Sequence, residues 1–170
     1  MDQWPVAAAA TSWALHRDAA VVLPVLRRAL ESERSGVRRD AAVALARLGE
    51  AAGPALPGLR ALAARGGSPW EQFDALRAVW KATRDARFVA APLREVWCAN
   101  PYTRKHIADC LRDMGEDAAA FDLALLSTEA GDPRRSVFRA GGWGSHDIHD
   151  DEALLASCRA ALAAVDRAPA

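Results

Sequence analysis

Between residues 37 and 48 the apolar side chains Val37, Ala41, Ala44, Leu45 and Leu48 fall at i, i+4, i+7, i+8 and i+11, while Arg38, Arg39 and Arg47 fall elsewhere. That spacing predicts a helix with one buried face. In 86–98 the stripe of Phe88 or Val89, Pro92-Leu93, Val96 and Trp97 predicts a second helix packed on a partner hairpin. Leu154, Leu155, Cys158, Ala161, Leu162 and Val165 predict a final helix. Between them, RAGGWGSHDIHDDE (139–152) interrupts the pattern. Its glycines Gly141, Gly142 and Gly144 each disfavour helix by about 1 kcal/mol relative to alanine. The acidic run Asp150-Asp151-Glu152 suits the first turn of the last helix, where negative charge is favoured by the helix dipole.

The pattern also repeats. Setting Trp13 over Trp80 aligns Arg17-Asp18 with Arg84-Asp85, Val22 with Val89 and Leu26-Arg27 with Leu93-Arg94 at one spacing of 67. VRRDAAVALARLGE (37–50) returns as TRKHIADCLRDMGE (103–116) at a spacing of 66. EQFDALRAVWKAT (71–83) lies over 37–49, so the elementary period is 33 to 34 residues. Two short amphipathic segments per period are the mark of an α-solenoid, in which no hairpin buries its apolar side alone.

Local chemistry marks the same boundaries. Ser68-Pro69-Trp70-Glu71 is a capping box, with the serine hydroxyl accepting from the N3 amide and Glu71 reaching back to the Ser68 amide. Asn100-Pro101 and Asp132-Pro133 predict further helix starts. Gly49 and Gly115 follow the last apolar residue of equivalent helices, where a left-handed C-cap is easiest for glycine. Pro24, Pro57 and Pro92 fall near the beginning of the other helix of each pair, as first-turn prolines or mild kinks.

Composition agrees with helix: alanine makes up about a quarter of the 170 residues, arginine supplies most of the positive charge, and both are good helix formers. The 51% hydrophobic content supports a continuous core. No apolar run reaches the roughly 18 residues of a membrane span, and the N-terminus lacks a basic region ahead of a long apolar stretch. The expectation is a cytoplasmic protein. Lys and Arg number 22 and so do Asp and Glu, which argues against a dedicated nucleic-acid or acidic-membrane surface. Residues 1–116 are mildly basic, with 17 cations against 13 acids, and 117–170 mildly acidic, with 5 against 9. Cys98, Cys110 and Cys158 form no CxxC and read as small buried residues.

VRRDAAVALARLG followed by AGPALPGLRALAARG resembles the HEAT-like repeat, in its short Ala-rich form named after phycobilisome lyases. AVWKATRD with FVAAPLREVW is similar to repeats of large bacterial HEAT proteins. The likeness covers roughly residues 4–130. It implies an all-α solenoid of antiparallel hairpins over 1–140, a Gly/His loop at 141–149 and a capping helix at 150–166. By that likeness Arg38 and Arg104 occupy a position that is often basic and forms hydrogen bonds between neighbouring turns. HEAT-like proteins are mostly binding scaffolds, with a minority serving as bilin lyase subunits or alkylpurine DNA glycosylases. The chain opens on the second helix of a repeat, so either PVAAAATSWAL pairs with something, self-association included, or the 170 residues are the C-terminal part of a longer array.

Candidate chemistry is sparse. His146, Asp147, His149, Asp150 and Asp151 are ligand types for zinc, but their spacing follows no known pattern and a polar capping loop accounts for them better. There is no GxSxG, no phosphate-binding glycine loop and no supported pair of carboxylates, so no enzyme is expected and no catalytic, cofactor or metal residue is assigned. The residues expected to touch a protein partner are Arg84, Trp143, His146 and His149. A DNA-binding or glycosylase-like protein is the alternative, drawing on Arg77, Lys81, Arg84, Arg104 and Lys105.

Overall fold

The computed structural model of the chain describes residues 3–131 and 145–166, and every regular element among them is helical. The chain divides into two compact units, Met1–Pro92 and Leu93–Ala170, with the boundary inside one helix.

The first unit contains α1 (Gln3–His16), α2 (Ala19–Leu30), α3 (Ser35–Leu48), a 3₁₀ stretch (Gly49–Ala55), α4 (Leu56–Ala64), α5 (Pro69–Thr83) and the start of α6 (Ala86–Ala99). Helix α3 is central, packing on α1, α2 and α5, while α4 packs on α5. Its predicted stripe is the buried one: Val37, Ala41, Ala44, Leu45 and Leu48 are all in the core, with Leu45 fully enclosed. Val22, Leu26 and Leu30 from α2, Leu59 and Leu62 from α4, and Phe73, Leu76, Val79 and Trp80 from α5 join it, with Val6 of α1 and Val89 of α6.

The second unit holds the end of α6, a 3₁₀ turn (Pro101–Thr103), α7 (Arg104–Met114), a 3₁₀ stretch (Gly115–Ala120), α8 (Leu123–Gly131) and α9 (Ser145–Asp166). Helix α9 packs on α7 and α8 through Leu154, Cys158 and Ala161. Trp97 and Phe121 meet edge to face, with ring centroids 6.0 Å apart.

The sequence repeat is visible in the connectors, which are of two kinds. After α1 and α5 the chain turns through Arg-Asp. Arg17 and Arg84 have φ of 54° and 57°, and their amides donate to the carbonyls of Trp13 and Trp80 at 3.0 and 2.7 Å. The following aspartate caps the next helix: Asp18 Oδ1 accepts from the Ala20 amide and Asp85 Oδ1 from the Phe88 amide. After α3 and α7 the chain turns through Gly-Glu into 3₁₀ helix. Gly49 (φ 59°, ψ −132°) and Gly115 (φ 65°, ψ −129°) share a positive-φ conformation that is not the left-handed helical cap expected, and that a side chain strongly disfavours.

Several local expectations change. Pro57 is a first-turn proline of α4, but Pro24 and Pro92 lie well inside α2 and α6. Asn100 caps the 3₁₀ turn before α7, accepting from Tyr102, so the α-helix begins only at Arg104. Val89 takes the buried position in α6 and Phe88 is exposed. Cys110 and Cys158 are buried, whereas Cys98 is exposed because it lies off the buried stripe of α6. The last helix starts at Ser145, so residues 145–149 are its first turns and not part of a loop running to 149. The expected helix start at Asp132-Pro133 and the glycines 141, 142 and 144 lie outside the described residues.

Candidate functional site

Arg38 begins the site. It lies one residue after Val37 in α3, so the helix carries it to the edge of the buried face. There its guanidinium meets Glu71 at the start of α5, 33 residues away. Nε donates to Oε1 at 2.6 Å and Nη2 to Oε2 at 3.0 Å, a bidentate pair in which Glu71 is fully buried. Nη1 donates to the carbonyls of Ser32 and Glu33 at 2.7 and 2.9 Å. The hydrogen bond to Glu71 raises the Arg38 pKa above its ordinary value, against the opposing effect of burial. Next to it Arg39 pairs with Asp74 at 2.9 Å and stands over the Trp70 ring at 5.4 Å. Ser68 Oγ accepts from the Glu71 amide as the capping box predicts, but the Glu71 carboxylate is committed to Arg38 and not to the Ser68 amide.

Because Arg38 grips the backbone of residues 32 and 33, the ion pair shapes the loop between α2 and α3. Beside that loop opens a groove of about 620 Å³. Pro5 and Val6 of α1, Val25 and Ala29 of α2 and Val37 of α3 give it an apolar lining, and Arg28, Glu31 and Glu33 give it a charged edge. The volume lies in the range of small ligand sites, roughly 300–1,000 Å³, and the lining is mostly apolar as such sites require. It offers shape, apolar contact and charge.

The expected partner-binding residues are not gathered there. Arg84 sits at the α5–α6 turn with its guanidinium 4.9 Å over the Trp80 ring, and Lys81 Nζ lies 4.5 Å from the same ring. Trp143 lies outside the described residues. His146 and His149 fall on the first turns of α9, and their side chains are likewise outside the description. Among the described residues, no three His, Cys, Asp or Glu stand close enough to hold a metal ion, and no helix is long and apolar enough to cross a membrane. Of the cations a DNA surface would need, Arg104 bonds Glu129 and the Trp97 carbonyl, and Lys105 bonds Asp109.

The groove residues were missed by the sequence reading, although one signal was present. AAVVLPVL in α2 holds Val21, Val22, Leu23, Val25 and Leu26, more bulky apolar residues than one face of a 12-residue helix can bury. Val21 and Val25 are the surplus, 59% and 36% exposed. No known protein family, curated protein or solved structure matches the chain.

Proposed function

We propose that the chain is a non-catalytic, cytoplasmic scaffold of HEAT-like repeats, an α-solenoid that holds a protein partner. The carrying observation is the groove at α1, α2 and α3, apolar in its lining and charged at its edge. Ties at about one period, Arg38 to Glu71 and Arg39 to Asp74, support the repeat reading, as do the matched connectors. The DNA-binding alternative gains nothing from Arg104 and Lys105, which are spent on acids of their own unit.

The test is a photo-crosslinking amino acid installed at Val25 and irradiated in the source cell. A polypeptide adduct, lost when the same group is moved to the buried Leu59, supports binding at the groove. The absence of any polypeptide adduct at Val25 sinks it. A mobility shift on duplex DNA at two salt concentrations checks the alternative: a steep salt slope would favour DNA binding, and no shift is expected of a scaffold.

A further inference from the structure

The open apolar surface of the first unit is concentrated on one hairpin. Among the described residues, its exposed large hydrophobic side chains are Leu15, Val21, Val25 and Phe88, and the first three belong to α1 and α2. Phe88 has the Arg60 guanidinium over its ring at 4.9 Å. Val21 and Val25 are one turn apart on α2, so they share a face, and Val25 also lines the groove. An apolar track thus runs along α2 into the groove.

The charges at its edge are ordered in a particular way. Arg28 follows Val25 by three residues on the same side of α2, and Glu31 and Glu33 follow at once in the loop. Neither Arg28 nor Glu31 makes an ion pair through its side chain within the described residues, while the Glu33 carboxylate acts on Arg38 through its charge. A patch carrying both signs so closely matches itself when turned about a two-fold axis. A two-fold axis passing beside Ala29 would set Arg28 of one copy against Glu31 of the other and turn the exposed Val21 and Val25 of each towards its partner. The formal net charge of zero leaves no long-range repulsion between copies.

We propose that the α2 face and its groove form an isologous homodimer interface, a second copy of this chain being the partner. This rests on the scaffold reading and names the occupant of the same groove. The outcomes are separable: an adduct at position 25 to a foreign protein alone supports the scaffold and overturns the dimer, while an adduct of twice the chain mass supports both.

Sedimentation velocity of the full chain, from about 1 to about 200 µM to bracket a micromolar Kd, tests the dimer directly. A concentration-dependent dimer is expected. Val25→Glu should weaken it at least tenfold, as should Arg28→Glu, while Arg28→Glu combined with Glu31→Arg should restore association towards the parent. Thermal melts of these variants should match the parent, because all three positions are exposed. A monomer at every concentration, or a dimer that neither Val25→Glu nor Arg28→Glu disturbs, overturns the proposal. So does a double variant no tighter than its single parents.

Discussion

Replacing Glu71 by Gln keeps the shape of the side chain and removes its charge. Arg38 would then remain buried, with Nη1 still on the Ser32 and Glu33 carbonyls but with no anion at Nε and Nη2. Glu71 is 1% exposed and Arg38 9%, so water cannot replace the lost carboxylate. Breaking a buried pair from one side costs about 3–5 kcal/mol. Set against a total stability of about 5–15 kcal/mol, that is a large fraction. For a chain of this length each kcal/mol lowers Tm by roughly 2–4 °C, so E71Q should melt about 6–20 °C below the parent. The assay is urea unfolding followed by circular dichroism, with a thermal melt alongside. Exchanging both partners, Arg38→Met with Glu71→Leu, removes the stranded charge and should recover most of the loss, since a buried pair contributes little over apolar residues of similar size. The comparison is internal: Asp74→Asn should cost less, because its partner Arg39 is 39% exposed and solvent takes over part of the charge. An E71Q variant within about 0.5 kcal/mol of the parent would refute the burial argument, that being the ordinary spread of surface substitutions.

Gly49→Ala and Gly115→Ala should each destabilise by about 1–3 kcal/mol by urea titration, because the backbone sits at positive φ with ψ near −130°; neither glycine is crowded, so the cost is conformational. Leu45→Asp should leave the chain unfolded by circular dichroism, since an unpaired carboxylate at a fully enclosed position costs several kcal/mol. Asp109 provides a pH test. Burial pushes its pKa up, but hydrogen bonds from Lys105 and Ser157, with the charges of Lys105 and Arg112, bring it below its ordinary 3.8. A depressed carboxylate adds stability above the unfolded pKa, and that stability is lost as pH falls through the lower folded value. Asp109→Asn should therefore be less stable than the parent near neutrality, and the gap should close below the unfolded value of 3.8 in melts run down the pH scale. A gap that stays constant with pH would contradict the assignment.

The helices were legible because their apolar stripes are regular: every residue of the α3 stripe is buried, and the glycine and Arg-Asp matches fall on connectors of matching geometry. Helix Cβ periodicity carries that information directly. What periodicity cannot carry is competition between partners for one side chain. Glu71 satisfies the local capping rule on paper, yet its carboxylate goes to an arginine 33 residues earlier, because a buried guanidinium requires an anion more than an exposed helix start requires a second cap. The groove was hidden for a related reason. Val25 and Val37 look like ordinary core residues in a stripe, and only the packing of α1, α2 and α3 separates the enclosed Val37 from the half-open Val25.

The repeat also departs from itself at this place. Leu30 corresponds to Trp97 at a spacing of 67, but Val37 corresponds to Thr103 at 66, so the first copy has one more residue between these points. The structure puts that interval in the loop from Glu31 to Arg34, the charged edge of the groove; in the second copy the shorter interval closes into the capped 3₁₀ turn Pro101–Thr103. Connecting loops tolerate such changes because few packed contacts depend on them. This one, however, is held by Arg38 through two carbonyls, and Arg38 is held by Glu71. A buried ion pair of the first unit thus fixes the backbone at a point where the two copies of the repeat differ in length. On the proposed reading, stability and binding are then coupled: a substitution at Glu71 mild enough to leave the chain folded should still weaken association at the groove in sedimentation velocity, since it removes the anion that anchors the Arg38 guanidinium and so loosens its hold on the loop that carries Glu31 and Glu33.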